Sequence, residues 1–279
     1  MKETVIDFHV HLTDYEDMTE DIFDFFASPY PSKEEYADFC KKYSDYNNFI
    51  KLMDQNGVDF SVVLAEIAPL TSGIASNERV IEFCKSNSRL IPFCTLNPYI
   101  HSNMGKKLEE LCINQGFKGI KLYPSYNYFY PNDNFMYPLY AVAERLDIPV
   151  LFHTGTSVFS NSRLKYSNPI YIDDVAIDFP NMKIIMSHGG RGPWYDVAFY
   201  LVRLHKNVYI DITGLPPKKL MEYFPDLGRF AYKFVFGTDW PAIDVKKNIN
   251  TIRNLNISND GISKILGGNA IHLLGLAKT

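Results

Sequence analysis

What the chain lacks narrows its role first. Among its 279 residues there is no run of lysine or arginine, and 28 basic residues face 32 acidic ones, for a formal net charge of −4. Without a basic face, no nucleic-acid partner is expected. The longest apolar stretches are strand-sized and broken by charges or glycines, so no membrane span is expected. The first residues run straight into a strand-like segment and lack the layout of a secretory leader. The cysteines are few and scattered, Cys40, Cys84, Cys94 and Cys112, with no Cys-x-x-Cys pair. They read as reduced packing residues, which with the missing leader makes a cytoplasmic protein the expectation. No glycine-rich phosphate turn follows an early strand, which counts against an open doubly wound sheet. No linker or change of composition divides the chain, so residues 1–279 are expected to form one domain.

Aromatic residues, by contrast, are plentiful, with 19 tyrosines and 20 phenylalanines, enough to fill a core and still line a pocket for a flat or apolar substrate. The chain is organised around its first apolar run, Val5-Ile6-Asp7-Phe8-His9-Val10-His11. Alternation along a strand sets His9 and His11 side by side, where two imidazoles can share one metal ion. The same alternation puts Asp7 on their face, placed to orient one of the rings.

A long polar and aromatic excursion follows, over residues 12–56. Ser32-Lys33-Glu34-Glu35 is a capping box for a helix towards Tyr43, and a second helix over 45–56 stops at Gly57. Its position directly after the histidine strand makes this insertion a candidate lid. Its aromatics, Tyr15, Phe23, Phe25, Phe26 and Tyr30, suit either a cap over a pocket or a surface for a second copy in a homodimer. Thereafter strands at 58–66, 90–97, 119–123, 149–153, 183–188, 208–213 and 234–239 alternate with helices at 77–88, 101–115, 135–146, 173–179, 194–205, 217–224, 244–255, 258–266 and 269–274. With the first strand this makes eight β-then-α units. In about 250 residues that pattern implies an α/β fold, a single (β/α)8 TIM barrel with a helical insertion after the first strand.

Active sites of this barrel form at the carboxyl ends of the strands. Those ends carry His9 and His11, Glu66, Asn97, Lys121, His153, His188, Asp211 with Thr213, and Asp239. Histidines scattered through a core do not collect at strand ends. The other three, His101, His205 and His272, fall in helical sequence and read as structural or solvated.

Asp-x-His-x-His on the first strand, His153 closing the fifth, Ser187-His188-Gly189-Gly190 on the sixth and Gly237-Thr238-Asp239-Trp240-Pro241 on the eighth together resemble the amidohydrolase superfamily. Gly116-Phe117-Lys118-Gly119-Ile120-Lys121-Leu122-Tyr123-Pro124 and the closing Ile265-Leu266-Gly267-Gly268-Asn269-Ala270 are similar to its amidohydrolase-2 branch, which includes aminocarboxymuconate-semialdehyde decarboxylase and related metal-dependent hydrolases. The resemblance spans nearly the whole chain. It implies one divalent metal ion, Zn²⁺ first and Mn²⁺ or Fe²⁺ as alternatives, held by His9, His11, His153 and Asp239. Three imidazoles and a carboxylate suit Zn²⁺ on chemical grounds as well, and such an ion brings the pKa of bound water towards neutrality. Asp239 and His188 are the expected catalytic groups, Asp239 taking a proton from water and His188 polarising a carbonyl or handling a proton.

Arg191, with its planar fork, suits a substrate carboxylate, and Arg163 and Lys165 are candidates for the same work. Lys121 is expected to be a charged pocket residue, with a carbamylated bridge between two metals as a rival. Glu66 and Asn97 are candidates for shaping the pocket, and Asp211 for a structural acid. The partner expected is therefore a small molecule, in particular a carboxylate.

The leading expectation is hydrolysis of a C–N or C–O bond. Non-oxidative decarboxylation of an aromatic or enoic acid is the alternative, to which the aromatics and Arg191 lean. Metal-dependent deoxyribonucleases share the opening motif but place an acid where Lys121 stands. PHP-type phosphoesterases need further histidine and glutamate clusters. A non-catalytic metal-binding barrel would be expected to carry a degraded ligand set.

Overall fold

Short β-branched and aromatic runs form the strands, and capped amphipathic runs form the helices between them. The computed structural model describes residues 3–277. Its strands are β1 (Ile6–His11), β2 (Asp17–Met18), β3 (Phe60–Leu64), β4 (Glu66–Ala68), β5 (Gly73–Ala75), β6 (Leu90–Cys94), β7 (Gly119–Leu122), β8 (Val150–Gly155), β9 (Ile184–Arg191), β10 (Val208–Asp211) and β11 (Phe234–Val235). The helices are α1 (Glu20–Ala27), α2 (Lys33–Tyr43), α3 (Tyr46–Asn56), α4 (Asn77–Cys84), α5 (Met104–Glu110), α6 (Pro124–Asn127), α7 (Tyr137–Arg145), α8 (Ile172–Asp178), α9 (Tyr195–Leu204), α10 (Leu220–Tyr223), α11 (Val245–Arg253), α12 (Asn259–Ser263) and α13 (Asn269–Leu274). None is long and apolar enough to cross a membrane.

Eight strands pair in parallel in the order β1-β3-β6-β7-β8-β9-β10-β11. The sheet closes on itself: Phe8 N donates to Phe236 O and His11 N to Trp240 O, each at 2.9 Å, and Asp239 N returns to His9 O at 3.0 Å. This is the expected (β/α)8 barrel. The expected insertion helices are present. Ser32 Oγ accepts from Glu35 N at 3.2 Å to start α2, and α3 ends at Gly57.

Four features differ from the sequence reading. The insertion also holds α1 and β2, and β2 joins β4 and β5, which follow β3 in the chain, in a second, antiparallel sheet of order β2-β5-β4. Strands of two or three residues show no readable period, and their hydrogen bonds come from segments distant in sequence. The strand expected over 58–66 breaks after Leu64, and Glu66 begins β4. Pro124 opens α6 at its first position, where a missing N–H costs nothing. The helix expected over 101–115 ends in a wide π turn, Leu111–Gln115, and a second such turn, Lys264–Gly268, fuses α12 to α13.

β1 carries a bulge. Its register runs Ile6↔Phe60 and Asp7↔Ser61, then Val10↔Val63 and His11↔Leu64, so one extra residue sits on β1. The extra residue reverses the alternation. Ile6 and Phe8 below it and His9 and His11 above it therefore share the inward side, and Asp7 is left on the other. Inside the barrel, Ile6, Phe8, Val62, Leu64, Phe93, Leu151, Ile185 and Val235 form a buried plug, closed by Ala270 and Leu273 of α13. A larger apolar shell, including Val63, Ile120, Phe152, Met186, Ile210 and Phe234, lies between strands and helices. Each such side chain contributes about 1.5–3 kcal/mol on burial. The plug supplies a dry, rigid floor for polar groups further along the strands.

Candidate active site

Above the plug, the strand ends surround a cavity of about 220 Å³. Three ligand atoms form a triangle at its base. His9 Nε2 lies 3.3 Å from His11 Nε2 and 3.4 Å from Asp239 Oδ1, and His11 Nε2 lies 3.5 Å from the same oxygen. Two ligand atoms of one tetrahedral ion with bonds of about 2.1 Å are about 3.4 Å apart. The triangle thus has the dimensions of one face of a divalent metal site, and these residues form the one such cluster among the described residues.

His153, expected as a fourth ligand, stands outside that tight group but lines the same cavity. Its Nε2 is buried without a hydrogen-bond partner. Such an atom costs about 1–3 kcal/mol unless something fills its lone pair. The donor set and this orphaned nitrogen fit a bound metal. Burial pushes the pKa values of His9, His153 and His188 well below the usual range, so the rings are neutral, the form that ligates. Burial alone would raise the Asp239 carboxyl, but the hydrogen bond from His11 and the neighbouring imidazoles outweigh it and hold the group well below its ordinary value.

His9 is oriented by Asp211. The Asp211 Oδ2 lies 2.6 Å from His9 Nδ1, and its Oδ1 accepts from Thr213 N at 2.9 Å. With Nδ1–H donating there, the His9 lone pair on Nε2 faces the triangle. The expectation that Asp7 orients a ring is thereby corrected. The bulge turns Asp7 towards the segment after β11, where it accepts from Thr238 N at 2.9 Å and Thr238 Oγ1 at 2.6 Å and pins the barrel closure.

Lys121 is fully buried and donates to Ser187 Oγ at 2.6 Å. Burial brings its pKa down to about 8, against the opposing pull of Asp211, Asp239 and Glu66. It lines the cavity, as does Glu66, whose carboxylate contacts Tyr15, Ser72 and His11. His188 Nδ1 lies 3.0 Å from Thr213 O, which leaves its other ring nitrogen free for a proton. Arg191 is braced on Thr156 O by Nε at 3.1 Å and Nη2 at 2.7 Å, and lines the cavity from the end of β9.

Asn97 stands apart. β6 has already ended at Cys94, and the Asn97 side chain is occupied outside the cavity by Asn127 Oδ1 at 3.0 Å, Ile67 O at 3.3 Å and Tyr99 N at 3.0 Å. Arg163 and Lys165 lie over the rings of Tyr128 and Tyr166 and are not in the cavity wall. His101 and His205 are engaged elsewhere, by Asn97 and Asp173.

Of the insertion aromatics read as a possible cap, Tyr15, Phe25 and Phe26 line the cavity and Phe23 and Tyr30 do not; sequence reasoning missed the rest of the aromatic wall and a glycine. The insertion contributes Tyr15, Met18, Phe25, Phe26 and Tyr36, facing Tyr123, Tyr126 and Phe159. Phe26, Phe159 and Tyr126 form a chain of ring contacts, with centroids 6.0 and 5.5 Å apart. Gly214 has φ +65°, and a Cβ there would meet Arg191 Nη1 at 2.7 Å, Asp239 Oδ2 at 3.0 Å and His188 Nδ1 at 3.1 Å. Three candidate groups therefore converge where only glycine leaves space; its place just after the seventh-strand run was the one sequence signal.

A family model described as amidohydrolase matches residues 6–276. A gamma-resorcylate decarboxylase of Polaromonas sp. is 23% identical over 291 residues, covering 81% of this chain and 86% of that protein. In structure, an uncharacterized TIM-barrel protein from Bordetella bronchiseptica aligns with a TM-score of 0.79 at 23% identity, over 98% of this chain and 99% of the other. A dihydroxybenzoic acid decarboxylase from Polaromonas sp., with bound manganese and the inhibitor 2-nitroresorcinol, aligns with a TM-score of 0.75 at 17% identity, over 100% and 98%. At these identities the structural likeness speaks for the barrel.

Proposed function

The chain belongs to the amidohydrolase family, and on that premise we propose that it is a metal-dependent decarboxylase of a small aromatic acid. The observation that carries this reading is the His9–His11–Asp239 triangle at the base of a cavity walled by aromatic rings. The decarboxylase relatives support it, and they place decarboxylation ahead of the hydrolysis that the motifs alone put first. A cavity of roughly 150 Å³ takes up benzene; 220 Å³ suits one substituted ring.

His9, His11 and Asp239 would hold one divalent ion, with His153 as the fourth donor. The imidazole-rich set favours Zn²⁺, and the manganese in the solved relative makes Mn²⁺ its comparison. Held there, such an ion would supply Lewis-acid stabilisation for the oxygens of an acidic substrate. Arg191, braced on Thr156 O, turns its remaining N–H groups to a substrate carboxylate. The ring stacks against Tyr126, Phe159 and Phe26, and residues 12–56 act as a cap that keeps water out. His188, neutral at rest with its Nδ1–H on Thr213 O, takes up a proton from solvent at its other ring nitrogen and hands it to the ring carbon as that carbon's bond to the departing carbon dioxide breaks. The free thiols of all four cysteines support a reducing compartment, the cytoplasm.

The test is a panel of hydroxybenzoates, 2,6-dihydroxybenzoate among them, set against lactones and amides, with Zn²⁺- and Mn²⁺-loaded protein. Carbon dioxide released in step with loss of the acid is the expected result. Turnover of lactones or amides without carbon dioxide would restore the hydrolytic reading.

A further inference from the structure

The segment that leaves β1 is tied down residue by residue. Thr13 Oγ1 donates to Cys40 O at 2.9 Å, Asp14 pairs with Arg79, and the Glu16 carboxylate accepts from Ser76 Oγ at 2.7 Å. Asp17 and Met18 then pair with Ile74 and Gly73 as β2 against β5. That crossing needs glycine at 73: its φ is +120°, and a Cβ would fall on the Asp17 carbonyl. Between these ties stands Tyr15, whose Oη donates to Glu66 Oε2 at 3.0 Å.

Glu66 is the junction. It is 2% exposed, its Oε1 accepts from Ser72 Oγ, and its Oε2 also lies 3.3 Å from His11 Nδ1. That distance is not an aligned hydrogen bond, and His11 Nδ1 has no other partner. His11 Nε2 is a corner of the ligand triangle. An imidazole is rigid, so the group facing Nδ1 governs where Nε2 points.

We propose that Glu66 and Tyr15 are positioning residues for His11, and that through them the seating of the insertion is coupled to retention of the metal. The proposal rests on the metal-site reading above. An ion on Nε2 fixes the ring and leaves Nδ1–H aimed at Glu66, whose oxygen also receives Tyr15. Holding one end of this chain therefore favours the other. Coupling of this kind is reciprocal: whatever affinity the strap adds for the ion, the ion adds in stability to the strap. Thr13 ties down the same segment without touching Glu66, so it separates positioning from plain anchoring.

The experiment titrates metal-free full-length protein with Zn²⁺ against a chromogenic chelator and follows deuterium exchange over residues 12–27 with and without Zn²⁺. Wild type is expected to bind about one Zn²⁺ per chain and to exchange more slowly over 12–27 when loaded. Glu66→Gln is expected to weaken Zn²⁺ about 10- to 100-fold, the usual range for a group that orients a ligand. Tyr15→Phe keeps the ring, weakens Zn²⁺ by a smaller factor and abolishes the Zn²⁺-dependent protection. In the double variant Tyr15→Phe adds nothing to Glu66→Gln, because it acts through that carboxylate. Thr13→Ala speeds exchange while changing Zn²⁺ affinity less than Tyr15→Phe does. If Glu66→Gln does not fold, Tyr15→Phe and Thr13→Ala decide the matter. Wild type binding one Zn²⁺ with protection over 12–27 unchanged, or Tyr15→Phe binding as tightly as wild type, overturns the strap and leaves the metal site standing. Wild type binding no Zn²⁺ overturns the metal reading itself.

Discussion

Asp211→Asn isolates the orientation of His9 from its presence. Asparagine has the shape of aspartate but one acceptor instead of two. In the wild type, Oδ2 faces His9 Nδ1 at 2.6 Å and Oδ1 takes Thr213 N–H at 2.9 Å, both fully buried. If the amide oxygen stays on Thr213, its NH₂ faces His9, and the ring proton must move to Nε2, which then cannot ligate. If the amide turns over, His9 keeps its tautomer but Thr213 N–H is left facing a donor, at about 1–3 kcal/mol. Either way the ligating state is disfavoured. A 10- to 100-fold loss of Zn²⁺ affinity is expected, equal to about 1.4–2.7 kcal/mol at 1.36 kcal/mol per tenfold. Burial pushes the Asp211 carboxyl well above its ordinary value, so the fold already disfavours a charge there and a neutral amide is expected to spare the metal-free fold. Chelator competition gives the affinity, and urea unfolding of metal-free protein gives the stability, expected within about 1 kcal/mol of wild type. An affinity within twofold of wild type in a folded variant refutes the orientation argument. A large loss of metal-free stability would instead make Asp211 a structural acid.

Other changes test separate parts of the site. Arg191→Lys keeps a positive charge but loses the fork, and is expected to raise KM for an aromatic carboxylate about 10- to 100-fold with kcat changed less; an unchanged KM removes Arg191 from substrate binding. Gly214→Ala places a methyl among Arg191, Asp239 and His188 and strains a left-handed residue by about 1–2 kcal/mol. Its kcat/KM is expected to fall at least about 100-fold, and near-normal turnover would show that the three groups need not converge. Asp7, raised to about 7 by burial, keeps its proton in the folded chain over a range where the unfolded chain, near 3.8, has lost it. The folded state thus binds more protons between those values, and stability from this group falls as pH rises through the window. Urea melts of metal-free wild type and Asp7→Asn should show the wild type losing ground to the variant from pH 4 to pH 7; the opposite slope refutes the sign.

Much of the molecule is legible without coordinates where local chemistry decides. The capped helix from Ser32 and the stop at Gly57 are set by side chains within four residues of the boundary. His9, His11, His153, His188, Lys121, Arg191 and Asp239 reach one cavity because parallel strands of a barrel all end on the same rim. Asn97 misreads because its strand ends three residues earlier, at Cys94, and the chain has left the rim by then. Arg163 and Lys165 misread because loop length does not say which way a long side chain turns; here tyrosine faces hold both.

By itself, then, the order of residues determined the alternation of strands and helices, the family motifs and the ligand types, since each depends on periodicity or on neighbours a few positions away. The tertiary structure alone decided that Asp211 rather than Asp7 faces His9, because one bulged residue in β1 reverses which side chains look inward. It alone decided that Glu66 meets both Tyr15 and His11, and that the insertion's aromatics wall the cavity. Those contacts join residues up to 202 positions apart. Only closure of the barrel and packing of the insertion across its rim bring them within hydrogen-bonding reach, and no local period records it.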